Sequence, residues 1–201
     1  GDVAVGAVAD GFAAAADALG EQTVRAARHR VEHLELVPDG AAATFARLGV
    51  VASVQPAFDA LWGGEAGLYA ERLGVARSLA SNPLADLAAA GVVLAFGSDA
   101  PVTALAPWEA VRAAVHHHAP GSRLDPAAAF AAHTAGGWAA ARRPGGRLAA
   151  GEPAYLAVWD TGGFPGLDPG SPPPACLRTV AAGRTVWTAA GDALPTASEI
   201  P

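Results

Sequence analysis

The sequence predicts an α/β fold: parallel βα units followed by a small tail of β-structure. Three observations carry this. Helical and strand patterns alternate three times along the first 145 residues. Two of the strand patterns, the β-branched run Val50–Val54 with Ser53 as its one polar residue and the apolar run Val92–Phe96, are those expected of strands buried on both faces. Past Gly145-Gly146 the helical periodicity disappears and short β-branched and aromatic runs take over. The expected division is therefore 1–145 and 146–201.

Asp2–Leu19 reads as a helix capped by Asp2 and stopped by Gly20, with Val5, Val8, Phe12 and Leu19 on one face. A polar link leads to a candidate strand, Arg30–Val37, closed by Pro38-Asp39-Gly40. Ala41–Leu48 is helical up to Gly49, and Val50–Val54 is the second strand. The stretch around Gly63, Gly64 and Gly67 reads as a long loop. Pro83–Ala90 is a short helix before the third strand, Val92–Phe96. Two further helices are expected, Trp108–His118 with Pro107 at its first position and Asp125–Arg142 started by Asp125-Pro126. In the tail, Tyr155–Trp159 is a strand, Val180–Trp187 a hairpin turning near Gly183, and Leu194–Pro201 frayed.

Composition narrows the function classes. Of 201 residues, 52% are hydrophobic and 16% charged, which excludes disorder. No apolar run reaches the ~20 residues a membrane helix needs. A net charge of −6 without a basic stripe argues against nucleic acid. The single cysteine, Cys176, leaves no internal disulfide framework and fits a reducing, cytoplasmic setting. All 13 basic residues are Arg, which removes Schiff-base chemistry, a phosphate-binding P-loop lysine and a lysine-carbamate metal bridge. The chain has no Met and starts at Gly1, so it is expected to be processed or incomplete.

In parallel βα architectures the reactive groups gather at the carboxyl ends of the strands. The three strands present His33, Gln55 and Asp99 there. A His and an Asp at such positions can share one metal ion, because zinc accepts imidazole nitrogen and carboxylate oxygen alike. An Asp beside a coordinated water can also serve as general base. On residues alone the structural readings stay open: a single His at a strand end is often incidental, and an Asp near a Pro is often a turn residue. His29-Arg30-Val31-Glu32-His33 also matches the H-x-x-E-H pattern of inverted zinc peptidases. That pattern needs a helix; on a strand the two His lie ~13 Å apart at ~3.3 Å per residue. Within a helix, His116, His117 and His118 point about 100° apart and cannot converge on one ion, so they read as cations at a helix carboxyl end. His133, inside an Ala-rich helix, reads as packed.

These residues carry a family likeness. Gly1-Asp2 before an Ala-rich helix, Arg30-Val31-Glu32-His33, Gly97-Ser98-Asp99-Ala100-Pro101-Val102, the Thr134–Trp138 segment and Arg147-Leu148-Ala149-Ala150-Gly151 together resemble the carboxyl-terminal half of the amidohydrolase superfamily, in its amidohydrolase family 3 branch. One departure is Ala154-Tyr155-Leu156, where the branch commonly has Ala-Asp-Leu. The resemblance implies the carboxyl-terminal part of a (β/α)8 TIM-type barrel (strands six to eight) with a β-sandwich tail. It implies hydrolysis of a non-peptide C–N bond, amide or formamide, in a small-molecule substrate by metal-activated water. It makes His33 and Asp99 ligands of a divalent metal, zinc by expectation, with Asp99 also the catalytic proton carrier. The family's remaining ligands have no counterpart here, so the expected partner is a missing amino-terminal half or a second copy of the chain. The alternative is a non-catalytic barrel fragment that binds or assembles.

Overall fold

An 18-residue helix, α1 (Asp2–Leu19), opens the structure, a computed structural model that describes residues 1–164 and 167–189. Its N-cap is Gly1, not Asp2; Asp2 sits in the first turn, where a carboxylate favours the helix dipole, and pairs with Arg77 at 3.1 Å. The buried face is Val5, Ala9 and Ala16, while Val8 and Leu19 are exposed. Small Ala side chains let α1 approach its neighbours, so the buried stripe is offset from the larger residues. Phe12 reaches over it to pack edge-on against Phe45, 6.3 Å between ring centres.

The rest of the first unit, Gly1–Gly146, alternates as expected but with more helix. After α2 (Glu21–Ala26) come β1 (Arg30–Glu32), α3 (Ala41–Arg47) and β2 (Val51–Val54). The stretch around Gly63, Gly64 and Gly67 is non-helical as expected, but only over residues 63–67; helices stand on both sides of it, α4 (Pro56–Trp62) before and α5 (Leu68–Leu73) and α6 (Val75–Leu79) after. Pro56 stands at the first position of α4, where its missing N–H costs nothing. Then follow α7 (Leu84–Ala89), β3 (Leu94–Phe96) and α8 (Pro107–Val115). The long helix expected over Asp125–Arg142 is two, α9 (Pro126–His133) and α10 (Ala135–Ala140). Thr134 breaks it at φ −114°, ψ −86°, and its hydroxyl donates back to the Phe130 carbonyl at 2.9 Å. Asp125 caps α9, accepting from the Ala127 and Ala128 amides.

The three strands form one parallel sheet in the order β1-β2-β3, pairing Glu32 with Ser53 and Val54 with Phe96. The Val51–Val54 strand is therefore central, and the edges fall on β1 and β3. Ala52 and Val54 are essentially inaccessible, as are Phe45, Leu48, Leu84, Leu87, Val111 and Ala114 around them. Each fully buried Leu, Val or Phe contributes roughly 1.5–3 kcal/mol, so the core centres on β2.

The second unit, Arg147–Pro201, holds β4 (Leu156–Trp159), β5 (Cys176–Ala181) and β6 (Arg184–Thr188) in an antiparallel sheet of order β4-β5-β6. Ala182 and Gly183, both at positive φ, make the β5–β6 turn. The segment expected to fray, Leu194–Pro201, lies outside the described residues.

Candidate functional site

Strand β1 is shorter than its apolar pattern suggests, because the backbone turns left-handed at His33 (φ 72°) and Leu34 (φ 51°). Leu34 goes into the core at 2% exposure, and His33 remains open. The His33 amide still donates to the Ser53 carbonyl at 2.7 Å, so the residue sits at the carboxyl edge of the sheet. Its ring is held from two sides. Nδ1 lies 2.9 Å from Oε1 of Gln55, and the Phe58 ring stacks on it at 6.2 Å and 19°.

Gln55 follows β2 directly and is the N-cap of α4, 5% exposed. Asp99 stands three residues beyond β3 in a tight loop, exposed and left-handed at φ 54°. Its carbonyl accepts from the Val102 amide at 2.8 Å, and the Thr103 hydroxyl donates to the Ser98 carbonyl, closing the loop. His33, Gln55 and Asp99 thus follow the carboxyl ends of β1, β2 and β3. Left-handed backbone outside glycine costs about 1–3 kcal/mol and concentrates at functional positions. Both candidate ligands adopt it, which their side-chain types alone do not foretell.

A nitrogen and a carboxylate are a donor set that suits zinc and similar divalent ions. A catalytic zinc site normally needs at least three protein ligands, so these two residues alone would not complete one. Among the described residues no group of three or more His, Cys, Asp or Glu could hold an ion.

The H-x-x-E-H reading fails, since Arg30–Glu32 is a strand; His29 lies before it, against Phe12 at 5.2 Å, and His33 after it. A groove of about 420 Å³ between α1 and α2, lined by Phe12, Val24 and His29 among others, also lies at the amino end of β1, away from His33. His133 is packed as expected, edge-on to Phe96, with burial pushing its pKa down.

The His116–His118 run behaves differently from expectation. Helix α8 stops at Val115, so the 100° rule does not apply, and two of the three rings converge on one buried carboxylate, Asp59 of α4. Asp59 Oδ2 accepts from the His118 amide at 2.9 Å and from His118 Nδ1 at 3.0 Å. His117 Nε2 is 3.4 Å from Oδ1, a long polar contact between two buried atoms. The Ala119 amide donates to His117 Nδ1, which places the ring proton on Nε2. Burial outweighs the nearby carboxylate and lowers the His117 pKa, so the ring is neutral. Sequence reading missed Asp59, though Pro56 at a helix start places it one turn into α4, facing inward. It also missed Tyr69, whose hydroxyl donates to Glu35 and is pushed up by burial and by that carboxylate.

Comparison with known proteins shows the family. A sequence model of the amidohydrolase family matches residues 1–187. The chain belongs to the amidohydrolase family. Among solved structures, it is similar to an uncharacterized metal-dependent hydrolase from Pyrococcus furiosus, at 27% identity and a TM-score of 0.52 over 59% of this chain and 25% of that one. It is similar also to an uncharacterized metal-dependent hydrolase from Pyrococcus horikoshii OT3, at 28% identity and a TM-score of 0.49 over 56% and 24%. The chain thus spans about a quarter of the length of these two hydrolases. None of the curated proteins matches it significantly. No described helix is long and apolar enough to cross a membrane.

Proposed function

We propose that this chain is the carboxyl-terminal part of a metal-dependent amidohydrolase that cleaves a non-peptide C–N bond, of the amide or formamide class, in a small molecule. One observation supports this best. His33 and Asp99 stand in left-handed backbone just past the ends of β1 and β3, in a chain matched to the family over residues 1–187. In this reading residues 1–145 are the last three strands of a (β/α)8 barrel with their helices, and 146–201 belong to a β-sandwich tail.

His33 Nε2 and an Asp99 carboxylate oxygen would hold a divalent ion, zinc by its tolerance of mixed nitrogen and oxygen donors. When bound, such an ion supplies Lewis acidity and acidifies a neighbouring water. The chain's own residues do the rest. An Asp99 Oδ atom takes the proton of the attacking water and returns it to the leaving nitrogen. Gln55 and Phe58 hold the His33 ring in place. The amino-terminal remainder of the enzyme, or a second copy of the chain, would supply the missing ligands and cover the edges of β1 and β3.

The test is zinc content after dialysis, and turnover of N-formyl and N-acyl amines, for the chain alone and joined to the amino-terminal remainder of a family enzyme. The isolated chain is silent, because two ligands do not complete a catalytic site. The joined protein binds zinc and turns over, and Asp99→Asn abolishes turnover. Full activity of the isolated chain overturns the reading. A joined protein that stays inert and metal-free points instead to a binding or assembly module, which the two-ligand set favours.

A further inference from the structure

Gln55 takes no direct part in the proton transfers above, yet it is buried, polar and within hydrogen-bond distance of His33. A buried amide is costly unless its hydrogen bonds are made, so its placement calls for a partner. That partner is His33 Nδ1, at 2.9 Å. The amide oxygen can only accept, so the proton on this contact belongs to the imidazole. A neutral imidazole that donates from Nδ1 carries its lone pair on Nε2.

We propose that Gln55 is a positioning residue that locks His33 as the Nδ1–H tautomer and presents Nε2 as the ligating atom. The inference rests on the reading of His33 as a metal ligand and adds how that ligand is prepared. Three features of the fold converge on it. The left-handed backbone at His33 turns its side chain out of the strand alternation. The Phe58 ring, stacked at 19°, sets the ring plane. Gln55 and Phe58 are the N-cap and third residue of α4, so one short helix supplies both restraints. Proline at the first position of α4 holds the chain direction at Gln55, and Asp59, bonded to His118, anchors the helix behind it. An acceptor on the second ring nitrogen is the usual companion of a metal-bound His, and its loss typically weakens metal binding by about 10–100-fold.

Imidazole ¹⁵N spectra of the metal-free chain at pH 8.5 provide the test. The expected result is a protonated, pyrrole-type signal for His33 Nδ1 and a pyridine-type signal for Nε2. Gln55→Leu should relax His33 to the mixture of a free neutral imidazole, while Gln55→Glu, which keeps an acceptor, should retain the Nδ1–H form. An Nε2–H tautomer in the unmodified chain overturns the proposal, since Gln55 would then be donating. So does a Gln55→Leu spectrum unchanged from the parent. If Gln55→Leu does not fold, the parent and Gln55→Glu spectra still decide. Adding zinc to the same sample separates this inference from the metal reading. A shift of the Nε2 signal supports both; an unmoved Nε2 with Nδ1–H intact overturns the ligand role of His33 and leaves the Gln55 assignment standing.

Discussion

Replacing Asp59 with Ala should cost the first unit about 1.5–3 kcal/mol, chiefly the hydrogen bond its buried carboxylate accepts from a backbone amide. The structure shows how this arises. Asp59 is 1% exposed, and its Oδ2 receives the His118 amide at 2.9 Å; a bond of that kind to a charged acceptor contributes roughly 1.5–3 kcal/mol. The His118 ring, 44% exposed, recovers a water and adds little. His117 Nε2–H, fully buried, makes only a long 3.4 Å contact with Oδ1 and no hydrogen bond, so its loss adds little. Asp59→Asn keeps an acceptor oxygen and should cost roughly 1–2 kcal/mol, a neutral hydrogen bond replacing a charge-assisted one. Every described helix ends before Gly146, so far-ultraviolet circular dichroism in a urea titration at pH 8 reads this unit. The Ala variant should also melt roughly 3–12 °C lower, at 2–4 °C per kcal/mol for a unit of this size. A loss under ~1 kcal/mol for Asp59→Ala would show that the His118 amide and His117 find water, and that the carboxylate does not anchor α4.

Three other outcomes are expected. Burial lowers the pKa of His117 and His133, so the unfolded chain takes up protons near the ordinary His value of about 6.5 while the folded chain resists; stability is full above that pH and falls below it. Urea midpoints from pH 8 down to 5 check the sign, and His117→Gln should flatten the slope. A Cβ on Gly136 would lie 2.1 Å from the Leu94 carbonyl, so Gly136→Ala should push α10 off β3 and cost roughly 1–3 kcal/mol, read by urea denaturation. Phe45 is wholly buried, and Phe45→Ala should cost about 3–5 kcal/mol in the same assay.

Three parallel strands, their order of appearance and the residues at their carboxyl ends were legible in the sequence, because apolar runs such as Val50–Val54 and Val92–Phe96 have no comfortable place except inside a sheet covered on both faces. The likeness around Arg30–His33 and Gly97–Val102 likewise pointed to the family without coordinates. The helices on either side of residues 63–67 were hidden because the loop between them, with glycines at 63, 64 and 67, dominates the local pattern; Gly63 and Gly67 stand where a side chain would strike backbone. The break at Thr134 was invisible because the Ala-rich pattern on either side is equally helical, and packing decides between one helix and two.

What tertiary structure alone decided is who faces whom. Spacing could separate His116, His117 and His118 by 100° steps, but only the end of α8 at Val115 let two of them turn onto Asp59, 58 and 59 residues earlier in the chain. Gln55 read as one more polar residue at a strand end until β1 and β2 paired and brought its amide to His33. Local sequence dictates backbone preference and hydrophobic period, which are properties of neighbours along the chain. Hydrogen-bond partnerships across a sheet depend on register and on where helices stop, and those are settled when the whole core packs at once.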